Sequence, residues 1–196
     1  MATTSTDRTP GEISAGKLYA AWNTNEKELL RNSGETPDAL FKTGGCLDLM
    51  LATDGNAKAD RNEPVPGDLR LLLTMVNKKP RALLYRARVP GAPQPVGFSS
   101  PWRTIAFDSV EDISESVQLA AGGDGNYEIS VPLARLGWQP QPGQSYSADV
   151  GLLRGDGRQT TQRVYWSNKA TAITADVPSE AELTPRLWGH WEVVGE

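Results

Sequence analysis

From Lys17 onward the chain keeps returning to a period of two. In KLYAAWN, Leu18, Ala20 and Trp22 alternate with Lys17, Tyr19 and Ala21. CLDLMLAT sets Leu47, Leu49 and Leu51 against Cys46, Asp48 and Met50, and DLRLLLTMV sets Leu69, Leu71 and Leu73 against Arg70, Leu72 and Thr74. Successive side chains of a strand point to opposite faces, so the pattern fits extended chain and not a 3.6-residue helical repeat. RALLYRARV, TIAFD, SVQLA, YEISV, SYSADVGLL, QRVYWS and WGHWEVV continue it, for about ten strands in all, a number that suits a sandwich. GGDGN at 122–126 and RGDGR at 154–158 supply residues that tolerate positive φ, as tight hairpins require. The RGD at 154–156 reads as part of that turn.

The spacing predicts little helix. TNEKELLRN has Asn25 placed as an N-cap with Glu28 three residues on, enough for two turns. PLARLG predicts one turn, opened by Pro132 and closed by Gly137. The content of 19 Gly and 14 Pro also favours turns over long helices. The expected fold is an all-β antiparallel sandwich with one or two short helical turns. At 196 residues it forms a single domain over 17–196, after a polar, flexible leader over 1–16. Long irregular stretches at 53–67, 90–101 and 168–186 are expected as loops at the ends of the sandwich, where function concentrates.

Charge and residue inventory remove several classes. A net charge of −4, with no basic cluster beyond NKKPR, argues against a nucleic-acid or polybasic membrane footprint. No apolar run is long enough for a membrane span, the N-terminus lacks the apolar core of a signal peptide, and Cys46 has no partner for a disulfide. The single histidine, His190, lies in a strand-like run without a GxSxG motif, so a structural role outweighs a catalytic one. Zinc needs three or four His or Cys ligands where this chain offers Cys46 and His190, and no phosphate-loop motif occurs. FDSVEDISES presents Asp108, Glu111, Asp112 and Glu115, which read as a solvated surface before a glycosidase pair. TDGNAKADRNE places Asp54, Asn56, Asp60 and Glu63 in a Gly-containing loop of hard oxygen donors, a candidate Ca2+ site outside the EF-hand pattern.

The succession KLYAAWNTN, LFKTGGCLDLMLATD, YEISVPLARLGWQPQPGQSYSADVGLL, RVYWSNKAT and DVPSEAELTPRLWGHWEV resembles the family 9 carbohydrate-binding modules and the wider DOMON-like sandwich group over about residues 17–194. Most diagnostic are Val131 to Gly143 and the Trp-Ser-Asn run followed by a P-x-x-WG-x-W type ending. The resemblance implies a non-catalytic sandwich that binds a polysaccharide or oligosaccharide, with structural calcium, in an extracellular or periplasmic setting and alongside other domains of a larger protein. It also implies that Trp191 and Val193 face the core while Trp188 and His190 take the opposite face.

Members that bind sugar clamp the ring between two aromatics, one on the loop before the second strand and one on the loop before the last. The first loop here offers Phe41; the second, KATAITADVPSEAELT, contains no aromatic, and the GD expected at Gly44 and Gly45 lacks its acid. A sugar site needs a flat aromatic for the C–H face of the ring and planar polar groups for its hydroxyls. Trp102 in FSSPWRT is the best exposed candidate and Asn168 a rim donor and acceptor, while Trp22, Trp138 and Trp166 are expected in the core. Two other readings remain. One is a structural or protein-interaction module without a sugar site. The other is a haem-binding DOMON domain using axial ligands from Met50, Met75 and His190.

Overall fold

The alternating runs become strands, paired almost entirely antiparallel. The structure, a computed structural model, describes residues 11–92, 94–171 and 176–194. Its strands are β1 Gly11–Ser14, β2 Lys17–Asn23, β3 Cys46–Ala52, β4 Asp68–Val76, β5 Lys79–Arg86, β6 Val96–Ser99, β7 Thr104–Phe107 and β8 Ser109–Asp112. They continue with β9 Gln118–Ala121, β10 Asn126–Pro132, β11 Ser145–Gly155, β12 Thr160–Tyr165 and β13 Gly189–Glu192. Two short helices, α1 Leu133–Leu136 and α2 Val177–Ala181, complete the regular structure with two 3-10 turns. Among the described residues no helix is long and apolar enough to cross a membrane.

A four-stranded sheet runs β1-β2-β10-β9. A seven-stranded sheet runs β12-β11-β3-β4-β5-β8, with β13 sharing the edge of β11 with β12, and β6 and β7 form a separate hairpin. Leu18, Ala20 and Trp22 of β2 and Tyr127, Ile129 and Val131 of β10 pack on the Leu47, Leu49, Leu51, Leu69, Leu71 and Leu73 face of the large sheet. This is the sandwich core that period two predicts.

The other face of the large sheet is buried as well. Cys46, Met50, Leu72, Leu83 and Tyr85 lie beneath a cover formed by Phe41, by Phe98 and Phe107 of the β6–β7 hairpin, and by Ala181, Leu183 and Trp188. Every residue of β3 is therefore buried. The molecule has a third layer of loops, hairpin and short helix where one-sided alternation predicts solvent.

Several local expectations change. The leader expected over 1–16 gives way at Gly11, because β1 pairs with β2 through a turn at Ala15 and Gly16, both at positive φ. Residues 1–10 lie outside the described residues. The helix expected from Asn25 is a series of turns, since tertiary partners take its backbone groups. Asn25 has φ 56°, the Tyr127 hydroxyl donates to the Glu26 carbonyl, and Gly45 N–H donates to the Arg31 carbonyl. A side chain at Gly45 would place its Cβ 1.7 Å from the Leu29 carbonyl oxygen, so close backbone approach fixes that residue. The turn expected at 132–137 forms as α1, closed by Gly137 in the left-handed region. β6 and β8, each of four residues, carry no clear alternation in the sequence.

Candidate functional site

The third layer holds a buried polar cluster that fixes the elements above it. Asp48 of β3 and Arg70 of β4 are fully buried and paired, with Arg70 Nη2 2.6 Å from Asp48 Oδ2 and Nε 3.1 Å from both carboxylate oxygens. Burial works against the Arg70 charge, but the Asp48 carboxylate outweighs it and keeps the guanidinium protonated. Arg70 Nη1 donates to the Glu180 carbonyl of α2 at 2.6 Å, and its guanidinium lies 5.3 Å over the Phe41 ring. The Tyr165 hydroxyl donates to Asp48 Oδ2 at 2.5 Å. Lys42 Nζ meets Glu180 Oε1 at 2.8 Å, tying the 35–45 loop to α2. Burial, then the Asp48 charge, pushes the Cys46 thiol up to about 12, so it is protonated and inert at neutral pH.

Above this cluster an aromatic stack carries the hairpin. Phe41 meets Phe98 at 5.2 Å, Phe98 meets Phe107 at 6.0 Å and Phe107 meets Tyr85 at 5.3 Å. At the far end of the hairpin, Ser100 N–H donates to the Arg103 carbonyl and closes a loop of Pro101 and Trp102. Arg103 turns back onto α2: its Nη2 donates to Ser179 Oγ and Glu182 Oε2, both at 2.9 Å, and its Nε lies 3.8 Å from Asp176 Oδ2. Trp102 projects outward and is 88% exposed. Ser99 and Thr104 place paired hydroxyls 2.8 Å apart on the strands leading to it. A flat ring held on a pinned loop, with hydroxyls beside it, is suited to stacking on the apolar face of a ligand.

The other expected site residues divide sharply. Phe41 is not a second clamp: at 0% exposure it lies inside the aromatic stack and supports the hairpin from below, so no ligand ring can reach it. Asn168 is half-buried, its Oδ1 accepting from Ala170 N–H. Its backbone N–H and that of Ser167 donate to the buried Asp149 carboxylate at 2.8 and 2.9 Å, which fixes the Trp-Ser-Asn turn. No hydrogen bond among the described residues joins Asn168 to the hairpin. The loop KATAITADVPSEAELT is described only outside residues 172–175.

Asp54, Asn56, Asp60 and Glu63 are exposed, and Asp54 Oδ1 caps the Asn56 N–H. Among the described residues no three His, Cys, Asp or Glu side chains gather as a metal would need. The nearby buried carboxylate, Asp68, is paired with Arg61. Three of the acids of 108–115 are engaged separately: Asp108 accepts from Val89 N–H, Glu111 faces Arg86 and Arg135, and Asp112 pairs with Arg81. Met50 and Met75 belong to opposite faces of the large sheet, and His190 is exposed on β13, so these three do not converge as axial haem ligands. Trp188 and Trp191 do lie on opposite faces, but each face has its own core, with Trp188 buried in one and Trp191 half-buried against the other. Trp22 and Trp138 are in the core as expected. Trp166 is not; it is 42% exposed and its ring lies against Gly189, where a Cβ would come within 2.2 Å.

Sequence reading passed over Arg103, which follows Trp102 and ties its loop to α2. The signal available was its place in a Pro-Trp-Arg turn, but its acceptors on α2 are about eighty residues away and carry no local mark. No protein-family model matches the chain, and no curated protein or solved structure matches it significantly.

Proposed function

We propose that this chain is a non-catalytic carbohydrate-binding module whose anchor is Trp102. The observation that carries the reading is the 88% exposure of that ring on a hairpin clamped from both sides, by the aromatic stack below and by Arg103 on α2. A large apolar ring left in water is open to contact, and the pinned backbone beneath it lowers the entropy lost on binding. A sugar ring offers a flat C–H face to the indole and hydroxyls to Ser99, Thr104 and the Asp176 and Glu182 carboxylates at the two ends of α2. The module belongs, on this reading, to a larger polysaccharide-handling protein outside the cytoplasm.

A glycan array and affinity gels, run with and without calcium because of the oxygen-rich 54–63 loop, test the proposal. Binding by the wild type that falls about tenfold or more in Trp102→Ala, equivalent to about 1.4 kcal/mol, supports it. Glycan binding that survives Trp102→Ala overturns this site. A protein-interaction surface is the second reading, favoured because Phe41, the aromatic expected to clamp a ring together with Trp102, is buried. An aromatic flanked by an arginine is also common at the centre of protein interfaces.

A further inference from the structure

The solvent face of the four-stranded sheet carries another set of groups, far in topology from the Trp102 hairpin and independent of it. Because Leu18, Ala20 and Trp22 face the core, Tyr19 and Ala21 of β2 face outward. Register places Glu12 of β1 on one side of Tyr19 and Ser130 of β10 on the other, with Gln118 of β9 beyond. The next row aligns Ala21 with Glu128. Ser130 is buried between its neighbours and its hydroxyl donates to Gln118 Oε1 at 3.1 Å. The small Ala21 side chain beside Tyr19 leaves an open groove of about 630 Å³ bordered by Glu12, Tyr19 and Glu128. Tyr19 itself is 38% exposed, more than most large apolar residues of this chain.

We propose that this groove is a second binding site, for a neutral glycan chain lying across β1, β2 and β10. Tyr19 provides the stacking ring, and the Glu12 and Glu128 carboxylates accept hydrogen bonds from sugar hydroxyls on either side of it. Four strands about 4.8 Å apart give the face a width of about 14 Å, so a chain crosses it without having to end there. Glu12 and Glu128 outnumber Lys17, which alternation places on the same face of β2, so uronate or sulfated chains would meet net like charge there.

Affinity gels containing hydroxyethylcellulose, xylan or glucomannan, with polygalacturonate as the anionic control, provide the test. The wild type, Tyr19→Ala, Glu128→Gln and Trp102→Ala are run together, each checked for an unchanged thermal midpoint. The expected result is retardation by at least one neutral polymer and none by polygalacturonate. Tyr19→Ala then weakens binding about tenfold or more, Glu128→Gln weakens it measurably, and Trp102→Ala leaves retardation through the groove in place. Loss in Trp102→Ala with full binding in Tyr19→Ala overturns the groove and leaves the hairpin site standing. Binding confined to polygalacturonate, or no retardation in any gel, overturns the groove as well.

Discussion

Phe41 and Trp102 are both loop aromatics, and their substitutions separate support from contact. Phe41→Ala opens a cavity under the hairpin, at a cost of about 3–5 kcal/mol in urea unfolding. Trp102→Ala, with 88% of its residue surface in water, changes stability by no more than about 0.5 kcal/mol. Equal destabilisation by the two would show that Trp102 packs in solution. Sequence marked Trp102 as exposed because it follows a Pro- and Gly-rich loop. The same logic misplaced Phe41, since a loop folded over a sheet looks like one that stands in water. Asp48 shows a related limit. Its alternation with Leu47 and Leu49 reads as a solvated residue, and only its diagonal neighbour Arg70 on β4, with Tyr165 from β12, explains a carboxylate in the core. Asp48→Ala leaves the Arg70 charge buried without its partner and is expected to destabilise by about 3–5 kcal/mol, measured by denaturant titration.

At the scale of elements, the β6–β7 hairpin depends on two attachments of different kinds. Its base is apolar and buried, whereas its tip is held to α2 by the half-exposed Arg103 contacts with Ser179 and Glu182. Such surface pairs contribute less than about 1 kcal/mol to stability. Arg103→Ala therefore leaves the unfolding midpoint nearly unchanged while freeing the Trp102 loop, and the added ordering cost lowers glycan affinity several-fold. Calorimetry on the wild type and Arg103→Ala with a glycan bound through Trp102 checks this; equal affinities would mean that the loop is rigid without the arginine. The strands with long alternation, β2 to β5 and β10 to β12, were legible from the pattern, as was α1 from Pro132 and Gly137. β1, β6 and β8 were not, since GEIS, VGFS and SVED carry no clear alternation of apolar and polar residues and their pairing partners decide the outcome. The outward row of β2 was legible in KLYAAWN, but its meeting with Glu12 and Glu128 comes from register, which no single strand encodes.

At the scale of the molecule, the third layer makes the large sheet a middle layer, and that arrangement carries a pH signature. Glu180 of α2 is held against the sheet, among Lys42, Arg163 and Arg70. Its Oε1 meets Lys42, while Oε2 has no hydrogen-bond partner among the described residues. Burial raises its carboxyl above the ordinary glutamate range in spite of the opposing pull of Lys42. The native state thus keeps this proton to higher pH than the unfolded chain, whose glutamate titrates near about 4.3. Between that value and the raised one the folded protein binds more protons, so stability falls as pH rises through the interval and stays lower above it. Asp149, raised by burial against the N–H groups that pull it down, contributes in the same direction. The exposed Asp112 and the half-buried Asp176 are lowered, and their contribution is lost only as pH falls below the ordinary carboxylate range. Thermal stability should consequently peak on the acid side of neutrality. Glu180→Gln keeps the shape of the side chain without a charge to desolvate, so its decline from that peak toward neutral pH is shallower than in the wild type. Thermal midpoints measured at closely spaced pH values for both proteins decide the matter. Parallel curves would remove Glu180 as the source and leave Asp149 and Asp68, whose carboxyls burial also raises, to set the slope.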